Sequence, residues 1–165
     1  MIKFATADLS DAHSNARVAE PIFRDFGATP AFYGSVVTVK VFEDNAMVRS
    51  RLEEPGGDRI LVIDGGGSMR CALVGGNLAQ LGVDNGWRGL VVNGCIRDSE
   101  ELRKIAIGIK ALGTHPRKSF RDLHTGHRDC PVTFAGVTFT NGHWLYADSD
   151  GIVISEGALH IDRTA

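Results

Sequence analysis

The chain reads as a single α/β domain in which a central βαβ unit closes against a β-rich C-terminal half. Three observations lead there. Residues 59–64 (RILVID) and 89–93 (GLVVN) are short, largely apolar runs flanked by glycine, as suits strands covered on both faces. Between them, residues 77–85 (NLAQLGVDN) set Leu78, Leu81 and Val83 near helical spacing, so strand, glycine turn, helix and strand make one βαβ unit. Residues 131–139 and 144–155 then return to the period-two alternation of strands.

The remaining elements follow in order. Residues 6–14 read as a short helix, with Thr6, Asp8 and Ser10 able to accept from free N–H groups at its start. Residues 31–42 (AFYGSVVTVKVF) are rich in β-branched and aromatic side chains and predict a long strand. Asp44 caps a helix over residues 45–54, with Ala46, Met47 and Leu52 facing inward, and Pro55-Gly56-Gly57-Asp58 ends it. Residues 99–104 form a polar helix and residues 107–112 an apolar strand. After Pro116 the chain is polar through residue 129, and residues 147–151 (ADSDG) predict a hairpin turn. There is no internal repeat and no low-complexity linker, and 165 residues suit one domain.

Composition narrows the function. Eighteen Lys and Arg against 20 Asp and Glu give a net charge of −2, which supplies no electrostatic reason to expect a polyanion as the main ligand. Cys71, Cys95 and Cys130 are widely spaced and odd in number, so they read as reduced, buried thiols. No apolar run approaches the length of a membrane span and the N-terminus lacks a secretory h-region, so a cytoplasmic protein is expected.

Two glycine clusters follow the first buried strand, Gly65-Gly66-Gly67 and Gly75-Gly76. The second opens a helix, so the backbone N–H groups over Gly75, Gly76, Asn77 and Leu78 can face an anion; tight turns and close packing explain the same glycines equally well. Neither a G-x-G-x-x-G dinucleotide fingerprint nor a Gly-Lys-Ser/Thr phosphate loop is present. Gly94-Cys95-Ile96-Arg97-Asp98 carries more information, because it ends the second buried strand with a guanidinium and a carboxylate. Ligand sites of open α/β sheets gather at such strand ends; Arg97 suits a substrate carboxylate and Asp98 suits Mg²⁺ or Mn²⁺. The competing assignment makes Asp98 a helix cap and Arg97 a surface charge. His124 with His127, and the basic run His115, Arg117, Lys118, Arg121 and Arg128, read as solvated loop.

The segments FEDNAMV, VIDGGGSMRCALVGGNLA, GWRGLVVNGCIRD, IGIKALGTHPRKS, PVTFAGVTF and LYADSDGIVIS resemble the family of the regulator of ribonuclease activity A and the metal-dependent 4-hydroxy-4-methyl-2-oxoglutarate aldolases. The resemblance runs from about residue 6 to about residue 155. It implies a swivelling-type α/β/β/α fold assembled as a homotrimer or as a hexamer of two stacked rings, with sites near subunit interfaces. It further implies that Gly75, Gly76, Asn77, Leu78 and Arg97 hold the pyruvoyl group of a 2-keto acid while Asp98 binds the divalent metal. The metal would then act as Lewis acid toward a pyruvate enolate, which serves both cleavage of the hydroxymethyl oxoglutarate to two pyruvates and decarboxylation of oxaloacetate.

One departure stands out: the aldolases usually carry an acid where this chain has Gly76, an acid thought to position metal-bound water for proton transfer. Its absence implies a reduced aldolase rate. Glu101 matches the acid three residues beyond the metal aspartate, and Asp98 is kept although some ribonuclease-regulating members lack it. The resemblance also offers a non-enzymatic alternative, a regulator that binds and inhibits an endoribonuclease.

Overall fold

A computed structural model describes residues 3–161. In chain order the elements are α1 (Thr6–Ala12), β1 (Arg17–Val18), β2 (Arg24–Asp25), β3 (Phe32–Lys40), α2 (Ala46–Leu52), β4 (Ile60–Asp64), β5 (Ala72–Val74), α3 (Gly76–Asp84), β6 (Gly89–Ile96), α4 (Ser99–Leu102), β7 (Gly108–Thr114), β8 (His127–Arg128), β9 (Val132–Phe134), β10 (Val137–Phe139), β11 (Trp144–Asp148) and β12 (Gly151–Ser155). The main sheet runs β1-β12-β11-β3-β4-β6-β7-β2, with β5 attached to β6 and β8 to β3. Strands β3, β4, β6 and β7 are mutually parallel, and β11 and β12 extend the sheet antiparallel from β3.

Alternation along the parallel strands divides the core into two. Val37, Leu61, Ile63, Leu90 and Val92 point to the side where Val48 and Leu52 of α2, Leu78 and Ala79 of α3, and Leu102 of α4 pack. Val36, Ile60, Val62 and Val91 point the other way, onto the β9–β10 hairpin and the inner face of β11 and β12. On the outer face of that β-rich half, Leu9 of α1 meets Tyr146 and Val153. The layers are therefore helix, sheet, sheet, helix, as expected. Because β4 and β6 are buried on both faces, each reads as an unbroken apolar run.

Several expectations shift by a residue or two, and some need correction. The first helix has Ala5 at its N-cap and no capping side chain; Thr6 instead donates from both its N–H and its hydroxyl to the Asp148 carboxylate, at 2.7 and 2.6 Å. Burial pushes the Asp148 carboxyl up, but these bonds and those from Asp150 and Gly151 outweigh it and leave the group below the usual carboxylate range. Strands β1, β2, β5 and β8 were not expected; each is two or three residues long and exists through its partner strand. The Cys71 and Cys95 thiols are buried and Cys130 half-buried, all three free, and burial pushes the first two pKa values up. Among the described residues no helix is long and apolar enough to cross a membrane.

The polar stretch after Pro116 is tied down rather than free. Ala72 N–H donates to Arg117 O at 2.8 Å, Ser119 N–H to Ala72 O at 3.2 Å, and Asn45 N–H to Phe120 O at 2.9 Å. Asp44, fully buried, completes the clamp: its carboxylate accepts from Ala46 N–H at the start of α2 and from Leu123 N–H, both at 2.9 Å. Asp44 thus caps α2 as expected and also fastens residues 117–123 beside it. Asp44→Ala strands both N–H groups and is predicted to cost about 2–4 kcal/mol, measured as a shift of the urea midpoint; a loss below about 0.5 kcal/mol would contradict the clamp.

Candidate active site

Pairing between β5 and β6 builds the site. The two strands run parallel, with Ala72 opposite Cys95 and Val74 opposite Ile96, and Arg97 N–H donates to Val74 O at 2.9 Å. Both chains therefore leave the sheet side by side at its C-terminal edge. One exit is Gly75-Gly76, which starts α3; the other is Arg97-Asp98, which starts α4. Of the ligand-site residues expected from the sequence, Gly75, Asn77, Leu78, Arg97 and Asp98 line one small cleft of about 60 Å³, joined there by Asn45, Arg49, Lys118 and Arg121, which were not expected; Gly76 is not part of the lining.

Asp98 is the centre of this arrangement. It stands at the N-cap position of α4 in the left-handed region (φ 58°, ψ 39°), but its side chain makes no cap bond to that helix. Its Oδ2 accepts instead from Gly76 N–H at 3.0 Å, so a fixed carboxylate occupies the first position of the α3 N-terminus. The N–H groups of Asn77 and Leu78, next in the turn, donate to no protein acceptor among the described residues and remain for a ligand. Holding a non-glycine residue in the left-handed region costs on the order of 1–3 kcal/mol, and aspartate bears it better than most residues.

The glycine pair is explained by space. Gly75 has φ −130° and Gly76 lies in the helix, so neither needs glycine for its backbone angles. A Cβ on residue 75 would stand 2.6 Å from Asp98 Oδ2 and 3.3 Å from Arg97 Cγ, and a Cβ on residue 76 would stand 2.4 Å from Glu101 Cδ. The two carboxylates, Asp98 and Glu101, therefore flank the Gly75–Gly76 step. Glu101 fills the space that a side chain at 76 would take; only the resemblance drew attention to it. Gly65-Gly66-Gly67, by contrast, is a turn with positive φ at Gly66 and Gly67, tied to Asp64 and Asn93, and takes no part in the cleft.

Among the described residues no three His, Cys, Asp or Glu side chains gather as a metal cluster, and His124 and His127 are exposed. Asp98 and Glu101 could nonetheless hold a hard cation, because Mg²⁺ commonly takes one or two carboxylates and fills its remaining positions with water and substrate oxygens. A cavity of about 370 Å³ lined by Glu43, Arg70, Cys71 and Phe120 shares Lys118 with the cleft, and two others, of about 600 and 910 Å³, lie against Tyr33, Trp144 and Tyr146 and against Arg17, Thr138 and His143. Neither is lined by the C-terminal ends of the parallel strands, where ligands of such sheets bind.

The family model for RraA-like proteins, described as Aldolase/RraA, matches residues 6–154. The chain belongs to the RraA-like family. A relative from Alkalilimnicola ehrlichii is 57% identical over 155 residues, covering 93% of this chain and 96% of the relative. Another from Aromatoleum aromaticum is 54% identical over 159 residues, covering 96% and 99%. Both carry 4-hydroxy-4-methyl-2-oxoglutarate aldolase as a provisional name. Among solved structures, the RNA-processing inhibitor RraA from Thermus thermophilis superposes on this RraA-like chain with a TM-score of 0.93 at 42% identity, over 98% of each.

The close approach at Gly75 is testable in this RraA-like chain without any ligand. Gly75→Ala is predicted to fold but to lose about 1–3 kcal/mol through overpacking. The loss should shrink in an Asp98→Ala background, where the Oδ2 contact is gone. Equal losses in both backgrounds, measured by chemical denaturation, would show that Asp98 does not lie against residue 75.

Proposed function

We propose that this RraA-like chain is a divalent-metal-dependent lyase acting on 2-keto acids, cleaving 4-hydroxy-4-methyl-2-oxoglutarate to two pyruvates and decarboxylating oxaloacetate. One observation carries the reading: the Arg97 guanidinium, the Asp98 carboxylate and two unsatisfied helix N–H groups line one cleft at adjacent strand exits, with the Glu101 carboxylate against the neighbouring Gly76. The provisional names of the relatives support it.

Each residue has a task. Arg97 offers a fork of N–H donors to the substrate carboxylate, and the Asn77 and Leu78 N–H groups, at the positive end of α3, complete its orientation. Asp98, fixed by Gly76 N–H, would hold the divalent cation, Mg²⁺ or Mn²⁺, together with Glu101. When bound there, the cation supplies Lewis acidity to the 2-keto group. Glu101 also takes up the proton that the substrate hydroxyl must lose for the carbon–carbon bond to break. That assignment revises the significance of Gly76, because a carboxylate from α4 already stands where the usual acid would be.

The cleft of one protomer is shallow, and Phe42, Phe120 and Leu123 project exposed from the segments that adjoin it. A homotrimer, or a hexamer of two trimers, in which a second copy covers this face accommodates both facts. The alternative reading, a protein inhibitor of an endoribonuclease, rests on the description of the Thermus structure as an RNA-processing inhibitor. A metal assay separates the two.

The purified protein is predicted to release pyruvate from oxaloacetate with added Mg²⁺ and to stop when a chelator is added. Asp98→Asn should abolish this turnover with the melting curve unchanged, since asparagine also tolerates the left-handed region. Chelator-insensitive or absent pyruvate release would sink the lyase reading. Glu101→Gln should lower aldol cleavage by about 10²–10⁴-fold and decarboxylation much less; equal losses on the two substrates would remove Glu101 from proton transfer.

A further inference from the structure

One sulfur contact belongs neither to the cleft nor to the hydrophobic clusters. The Cys95 thiol, fully buried in β6, donates to the Met69 thioether with 3.5 Å between the two sulfur atoms. Met69 is 53% exposed, so its sulfur meets Cys95 from the solvent side. Its methyl group reaches on toward β7, where it lies 3.4 Å from the place a Cβ on Gly113 would take. Cys95 and Gly113 are register partners in the β6–β7 ladder, so one methionine side chain lies across both strands.

The neighbours of Met69 are anchored. Arg70 Nε and Ser68 Oγ both donate to Glu43 Oε1, at 2.6 and 2.7 Å, and these bonds hold the Glu43 carboxyl below the usual carboxylate range. The backbone at residue 69 is therefore held on both sides, and movement at this point falls to the side chain. What lies beneath is the β5–β6 ladder: Cys95 is paired with Ala72 and stands two residues before Arg97 in the chain. Burial pushes the Cys95 pKa up, so while covered it is a protonated, unreactive thiol.

We propose that Met69 is a peroxide-reactive modification site whose oxidation uncovers the Cys95 thiol. A lone pair of the Met69 sulfur attacks one oxygen of hydrogen peroxide; the S–O bond forms, the O–O bond breaks, and the other oxygen leaves with both protons as water. The sulfur gives up two electrons and the peroxide gains them. The sulfoxide is polar where the thioether was apolar, and it no longer suits the packed surface of Cys95 and Gly113. Water is beside it, so the side chain turns outward and leaves the thiol open to electrophiles. Enzymatic reduction of the sulfoxide restores the cover, which makes the step reversible. The inference does not depend on the lyase reading.

The test treats the purified protein with hydrogen peroxide, removes the oxidant with catalase, labels with iodoacetamide and maps the peptides by mass. Met69 should gain one oxygen, and Cys95 should then label about 10-fold faster or more than in the untreated protein, as local loss of protection requires. Cys71, also buried, should stay unlabelled in both samples. Met69→Leu should keep Cys95 protected through the same treatment, and Met69→Gln, polar at the same length, should expose it without peroxide. An unoxidised Met69 at a dose that oxidises free methionine would overturn the proposal, as would a protected Cys95 beneath Met69 sulfoxide. Equal labelling of Cys95 in treated Met69→Leu, or Cys71 labelling that rises in parallel through loosening of the whole fold, would overturn the cover as well.

Discussion

Everything at the site depends on the parallel pairing of three residues of β5 with the C-terminal half of β6. That short ladder fixes Val74 beside Ile96, and so delivers Gly75-Gly76 and Arg97-Asp98 to the same point at the edge of the sheet. Without β5, the loop after β4 would reach α3 with no fixed register against β6, and the helix N-terminus would have no reason to face Asp98. The ladder is itself held from both sides. On one side lies β6, buried along its whole length; on the other lies the segment around Ser119, bonded to Ala72 and clamped by the buried Asp44. The rest of the fold, with its helical layer over one face of the sheet and the β-rich half over the other, packs around that arrangement.

Within this frame the site carries local costs that the scaffold must cover. Asp98 occupies a left-handed conformation, its carboxylate sits against a glycine with no room for a methyl group, and four cations share a cleft with no side-chain partner among the described residues. None of these features helps folding. Each makes sense as preparation for a ligand: a carboxylate oriented by an N–H bond, a helix end kept open, and positive charge waiting for an anion.

Much of this was legible in the sequence because it is local. The apolar runs of β4 and β6, the helical spacing of α3, and an Arg-Asp step at a buried strand end all follow from short-range pattern, and they single out Gly75, Asn77, Leu78, Arg97 and Asp98. What escaped is non-local. Strand β5 is three residues between two turns, too short to show a period. Lys118 and Arg121 looked like part of a solvated basic run, because the bonds that turn them toward the cleft come from Asp44, Asn45 and Ala72, far away in the chain. The glycine pair was readable equally as ligand approach or as close packing; what local pattern could not show is that the groups packed against it are two carboxylates, from α4 and the turn before it.

The account therefore comes down to whether this constellation holds a metal and a 2-keto acid at once. A crystal grown with Mn²⁺ and pyruvate, with data collected at the manganese absorption edge, tests that claim most directly. The account predicts one anomalous peak within coordination distance of the Asp98 carboxylate, with the pyruvate carboxylate on Arg97 and the Asn77 and Leu78 N–H groups. Manganese bound elsewhere, or pyruvate found away from Arg97 and α3, would contradict it.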